Sequence, residues 1–185
     1  MGWYSMGNSL IERCVGVMIA PKKTFVKASE DHHEGHVIIL SLVFGFLFAR
    51  HIIRSENRDL FFYITTALSC GIGFVYFAGF FLAWLVKVTG PLARPETMRM
   101  VLSYALTPYI LALGLLLLSR SVKNPMISLA AFMLTVYSWS LAVLGVKAVT
   151  SIKMVQSLFV VLIPVAALVL VISILFKVAW MTSGV

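Results

Sequence analysis

The sequence predicts an all-α integral membrane protein: a bundle of five transmembrane helices preceded by a short amphipathic N-terminal helix. Three observations carry this. Apolar residues make up 61 % of the chain and charged ones only 12 %, far from the roughly 45–50 % and 25 % of soluble domains. Five apolar runs, near 37–53, 60–86, 100–119, 125–146 and 154–176, are long and almost charge-free. A helix rises about 1.5 Å per residue, so roughly 20 residues match the roughly 30 Å hydrocarbon core. Peptide groups find no water there, so each run must bond internally as a helix.

The elements follow in order. Ser9-Leu10-Ile11-Glu12 reads as a capping box, and Leu10, Ile11, Cys14, Val15 and Met18 then recur on one helical face. Pro21 ends or kinks that helix, and Lys22, Lys23 and Lys27 follow around Phe25 and Val26. An apolar face beside basic residues suits a segment in the cytoplasmic headgroup region, or a short helix packed under the bundle. Residues 1–35 are thus expected to form a cytoplasmic segment with an interfacial helix, and 36–181 the five-span domain. No secretory signal is expected, because the apolar run from Cys14 to Ala20 is short and directly follows Glu12 and Arg13.

The first run holds Arg50 and His51 near its end, where an arginine can snorkel to the headgroups. In the second, Ala67 and Gly71 share a face, as do Gly79 and Ala83, and small residues four apart let helix backbones approach. Trp84 suits an interfacial anchor. Gly90-Pro91 breaks the helix, and Pro95 with Glu96 restarts one, since proline fits a first turn and a carboxylate favours the positive end. Pro108 predicts a kink in the third run; it frees the carbonyl of Tyr104, for which Thr107 or a neighbouring helix is the expected partner. Asn124-Pro125 caps and starts the fourth run. Trp139, near its middle, is expected to face other helices with its indole N–H bonded. Pro164 sits at the centre of the fifth and frees the carbonyl of Val160.

Charge placement sets the expected sidedness. Nine of the 15 basic residues (Arg13, Lys22, Lys23, Lys27, Lys87, Arg94, Arg99, Lys147, Lys153) fall on the face of the N-terminus, against six on the other. Basic residues resist translocation, so the N-terminus is expected in the cytoplasm and the C-terminus outside. The +8 formal charge clusters at span ends, where lipid headgroups are the partner, and no basic stripe stands clear for nucleic acid. Cys14 and Cys70 read as packing residues.

Three stretches resemble a known family. Pro21-Lys-Lys-Thr-Phe25 looks like its opening motif. Gly90 through Pro108, with Ser103-Tyr104-Ala-Leu-Thr-Pro108, resembles its most recognisable stretch. Trp139-Ser-Leu-Ala-Val-Leu-Gly145-Val-Lys-Ala148, followed by a proline-bearing last span, is similar to its C-terminal part. The family is that of the Yip domain, named for membrane proteins that interact with Ypt/Rab GTPases, and the resemblance covers about 20 to 180. It implies a five-span bundle with a cytoplasmic N-terminus. The eukaryotic branch has a longer cytosolic arm and an Asp-Leu-Tyr-Gly-Pro motif; here the nearest string, Asp59-Leu60-Phe61, lies before the second run. Rab-type GTPase binding is therefore not expected, and the compact form resembles bacterial or archaeal members.

No residue set reads as an active site. A Gly-x-Ser-x-Gly elbow, a phosphate-gripping glycine loop and a mid-span carboxylate are all missing from the sequence. An enzymatic role and a cofactor are not expected, and neither is ion-coupled transport, which uses deep ionisable groups. Glu30-Asp-His32-His33-Glu-Gly-His36 is the one cluster with ligand-type residues. It lacks the H-E-x-x-H spacing, so a solvated cap on the first span is the expectation, with His32, His33 and His36 as weak metal or pH-sensing candidates. The expected function is non-enzymatic: an accessory, scaffold or membrane-organising subunit working through helix contacts, with a membrane-protein partner or a second copy. Tyr104, Pro108, Tyr109, Trp139, Gly145 and Pro164 are the candidate contact or packing positions, and Lys22, Lys23 and Lys27 the membrane-surface ones. A lipid or apolar-solute transporter is the alternative.

Overall fold

A computed structural model of the chain describes residues 9–31, 33–53, 60–90, 93–119, 122, 124–164 and 166. These form helices, with no strand among the described residues. α1 (Leu10–Ile19) starts at the foreseen capping box: the Glu12 amide donates to Ser9 Oγ and the Ser9 amide to Glu12 Oε2. Pro21 begins a second helix, α2 (Pro21–Asp31), so the lysine-bearing segment is a helix of its own. α3 (Glu34–Ile52) carries Glu34 in its first turn and Arg50 and His51 in its last, each at the end where its charge suits the helix dipole.

The second run is continuous over Leu60–Thr89 but not uniform. α4 (Leu60–Leu68) passes through a π-helical turn (Ser69–Gly73) into α5 (Phe74–Thr89). Gly90 ends it at φ +123°, a conformation costly to any residue with a Cβ. Pro95 restarts the chain as α6 (Pro95–Ala105), which breaks at Leu106 before α7 (Thr107–Ser119). Asn124 Oδ1 accepts from the Met126 amide and opens α8 (Pro125–Thr150). α9 (Met154–Pro164) follows.

Four helical stretches are long and apolar enough to cross a membrane: Glu34–Ile52, Leu60–Thr89, Pro95–Ser119 and Pro125–Thr150. They match the first four sequence runs, extended by a few residues. The fifth run is an apolar helix as far as Pro164. Its remainder lies outside the described residues, as do His32, Arg54, Arg58, Pro91, Arg120, Lys123 and Lys177.

Glycine sets the tightest crossing. A Cβ on Gly71 would overlap the Ser41 carbonyl of α3, and one on Gly45 would overlap the Ala67 carbonyl. The Ala67–Gly71 face is thus a backbone contact with α3, and the π-helical turn sits at that crossing. Gly79 packs in the same way on the backbone of Arg99, bringing α5 onto α6. Gly145 of α8 meets Val101 of α6 and the ring of Phe25 of α2. The buried core gathers Val17, Phe25, Met98, Val101, Tyr104, Leu141 and Val146, so α1 and α2 belong to the bundle interior as much as the spans do.

Three sequence expectations need correction. The face Leu10–Ile11–Cys14–Val15–Met18 is split: Arg13 and Val17 are buried, while Ile11 and Val15 are exposed. Trp139 is 42 % exposed on the outer surface rather than turned to other helices. Successive helical positions diverge by about 100°, and the inward one belongs to Ser138, whose hydroxyl donates to the Ala105 carbonyl at 2.6 Å. That same bond amends the account of Pro108. The helix is interrupted at Leu106, two residues before Pro108, but the hydroxyl at the break comes from Ser138 of α8 and reaches Ala105, one residue beyond Tyr104.

Gly71→Ala should lower the thermal midpoint of the detergent-solubilised protein, since overpacking against a backbone costs about 1–3 kcal/mol. Gly114→Ala, with open space around its Cβ, should leave it unchanged or raise it, because alanine favours a helix by about 0.5–1 kcal/mol over glycine. Equal melting shifts for the two would contradict a backbone contact at Gly71.

Candidate functional site

Polar side chains collect at one level of the bundle. The Tyr76 hydroxyl of α5 donates to Glu34 Oε1 at 2.6 Å, and Arg99 Nη1 of α6 pairs with the same oxygen at 3.2 Å. The Arg99 guanidinium also lies over the Tyr76 ring, 4.4 Å from its centroid, a favourable cation–π placement. His36 Nδ1 and the Tyr104 hydroxyl share a hydrogen bond of 2.7 Å. Arg13 Nη2 donates to Asp31 Oδ2 at 2.6 Å, and its guanidinium lies against the Tyr104 hydroxyl. The Tyr137 hydroxyl of α8 donates to the Met18 carbonyl at 2.6 Å.

The direct bond between Ser138 and Ala105 puts Tyr137 level with Tyr104, and on α3 His36, bonded to Tyr104, lies within one turn of Glu34, which holds Tyr76 and Arg99. α3 begins there, whereas α5, α6 and α8 continue beyond it by about 20, 14 and 20 Å at 1.5 Å per residue. On the far side of the belt, Leu60 to Tyr76, Tyr104 to Ser119 and Pro125 to Tyr137 contain no charged residue. On the near side α5 and α8 stay charge-free as far as Val86 and Val146, and Lys87, Arg94, Glu96 and Lys147 lie beyond, with Lys22, Lys23 and Lys27 on α2, whose Phe25 packs on Gly145.

α1 runs along this belt. Arg13 touches it at Tyr104 and Met18 at Tyr137, so the two ends of the helix stand at similar heights. Burial of Cys14 on its inner side pushes that thiol above its ordinary pKa. Nearer the bundle end, Ser29, Arg94, Thr97 and Thr150 line an open pocket of about 250 Å³.

This arrangement lies within a stretch that matches the sequence model of the Yip1 domain over residues 15–176. The chain belongs to the Yip1 domain family. No curated protein matches it significantly, and neither does any solved structure. The Yip1 match spans the second half of α1 from Val15, all of α2, all four long apolar helices and α9, so every belt residue but Arg13 falls inside the domain.

The sequence candidates divide by position. Tyr104 is buried at the belt, Pro108 is buried just past the break, and Gly145 is the close contact between α8, α6 and α2. The Tyr109 ring lies 5.9 Å from that of Phe44 on α3. Trp139 stands on the outer surface, and Pro164 at the end of α9. Lys22, Lys23 and Lys27 are exposed on α2. His33 precedes α3 without a side-chain cap bond, its ring 5.1 Å from that of His36. His36 itself is a belt residue bonded to Tyr104, which corrects its reading as a solvated cap. No group of three or more His, Cys, Asp or Glu among the described residues could hold a metal ion.

Sequence reasoning missed Arg13, Asp31, Glu34, Tyr76 and Arg99. Arg13 had a signal, since it is the one basic residue of a helix whose only other charge is Glu12 of the capping box. Tyr76 had none, because a tyrosine in a long apolar run reads as packing.

The belt gives a stability test. Asp31→Asn leaves the Arg13 guanidinium buried with a weaker acceptor and should cost about 1–3 kcal/mol, discounted because Asp31 is partly exposed. Adding Arg13→Met should recover part of that loss in a detergent melt. A double variant less stable than Asp31→Asn would contradict the pairing.

Proposed function

We propose that this Yip1-domain protein is a non-enzymatic, five-span membrane protein acting as an accessory, scaffold or membrane-organising subunit through helix–helix contact. In this reading the fifth span continues α9, the N-terminus faces the cytoplasm and the C-terminus lies outside. The carrying observation is how the polar groups are used. Arg13, Asp31, Glu34, His36, Tyr76, Arg99 and Tyr104 hold helices to one another. A bound substrate would compete for those same atoms.

The outer surface supports the same reading. On α5, Phe77, Phe80 and Trp84 are 73, 63 and 52 % exposed, and on α8, Phe132, Met133, Val136 and Trp139 form a second apolar ridge. Aromatic and methionine side chains give large contact area at low ordering cost. The α8 ridge faces lipid or another transmembrane helix, and a membrane-protein partner or a second copy would seat there.

Site-specific photo-cross-linking in native membranes, with the probe replacing Phe132 or Trp139, tests this. A discrete protein adduct of one defined mass is expected, either a second copy or one companion, lost when Phe132 and Val136 are both changed to Ala. Lipid adducts alone, together with movement of fluorescent lipid across vesicles by the purified chain, would overturn the contact reading in favour of lipid handling.

A further inference from the structure

α1 is inside out for a helix in water. Its one basic residue, Arg13, is 3 % exposed, whereas Ile11, Val15 and Ile19 are 75, 48 and 78 % exposed, with Glu12 of the capping box the one charged side chain among the exposed positions of α1. These three recur at i, i+4 and i+8, so they form a single stripe along the outer face. The inner face is anchored at both ends, by Arg13 on Asp31 and Tyr104 and by the Met18 carbonyl on Tyr137. The stripe is therefore held outward; rotating α1 to hide it would break those bonds and expose the buried Val17.

The height of α1 says what meets the stripe. It runs along the polar belt, and on one side of that belt Leu60 to Tyr76, Tyr104 to Ser119 and Pro125 to Tyr137 carry no charge, while α3 carries none from Val37 to Ala49, its Arg50 standing about 24 Å away at the far end. A belt of this kind, with uncharged helix beneath it, is the composition of a hydrocarbon boundary. The exposed Lys22, Lys23 and Lys27 follow directly after the stripe on α2, with Val26 between them 37 % exposed. Lysines next to an aliphatic stripe complement anionic headgroups above an acyl-chain layer.

We infer that α1 lies in the plane of the membrane, with Ile11, Val15 and Ile19 inserted at the headgroup–acyl boundary and Lys22, Lys23 and Lys27 on anionic headgroups. This deepens the contact reading above by naming lipid as the occupant of this face. The hairpin of α1 and α2 then couples surface lipid to the spans through Arg13 and Tyr137. A protein partner on the same face is the competing occupant.

The test uses the full chain with Cys14→Ser and Cys70→Ser, spin-labelled at Val15→Cys or separately at Ile19→Cys. Nanodiscs of phosphatidylcholine, with or without phosphatidylglycerol, supply the lipid. Collision of the label with oxygen and with a water-soluble nickel chelate reads its surroundings. Oxygen accessibility should exceed that of the chelate several-fold at both positions, approaching a reference label at the exposed Phe61→Cys. Phosphatidylglycerol should increase the excess, and high salt or Lys22→Gln/Lys23→Gln/Lys27→Gln should remove the increase. A label reached mainly by the chelate overturns the inference, as does one shielded from both reagents, which would place protein on the stripe. Indifference to lipid charge overturns the lysine assignment. None of these failures bears on the cross-links at Phe132 or Trp139, so the two readings fail separately.

Discussion

In hydrocarbon a helix satisfies its own peptide groups and gains nothing from hiding apolar side chains, because the lipid is as apolar as they are. Association must come from elsewhere. In this chain it comes from close approach at glycine, against backbone at Gly45, Gly71 and Gly79 and against side chains at Gly145, and from a small set of hydrogen bonds at one level. Everything else follows from those two sources. The glycine contacts fix how near the spans lie, and the belt fixes their heights and the place of α1 and α2.

The two devices meet at Arg99. Its backbone is the surface on which Gly79 packs, while its side chain pairs with Glu34 and covers the Tyr76 ring. A residue with a Cβ at position 79 would push α6 away and open the polar contacts at the same stroke. Tyr104 plays a similar joining part between His36 of α3 and Arg13 of α1. An N-terminal helix pair built into the Yip1 domain in this way is a structural part of it rather than an appendage.

The fold was largely legible in the sequence, and for physical reasons. Apolar length marks spans, Gly90 and Pro95 mark an end and a start, and Asn124-Pro125 marks a cap, because each acts through its own backbone chemistry. Gly71 was legible as a small-residue position, yet its partner Gly45 and the π-helical turn were not, since both depend on which helix lies opposite. Trp139 and Ser138 show the same limit: one residue of rotation decides which faces inward, and a run apolar all round carries no phase. The belt was hidden for a related reason. Its members come from α1, α2, α3, α5, α6 and α8, far apart in sequence, and only Tyr104 and the histidines stood out beforehand.

The family assignment supports a membrane protein, and the arrangement of polar groups supports one whose side chains bind its own helices together. Both rest on the docking of α1 and α2 into the span bundle at the belt. Hydrogen exchange of the full chain in nanodiscs, resolved by mass spectrometry, tests that docking most directly. Amides of α1 and α2 should exchange as slowly as those of α6. Rapid exchange across Leu10–Asp31 while α6 stays protected would contradict it.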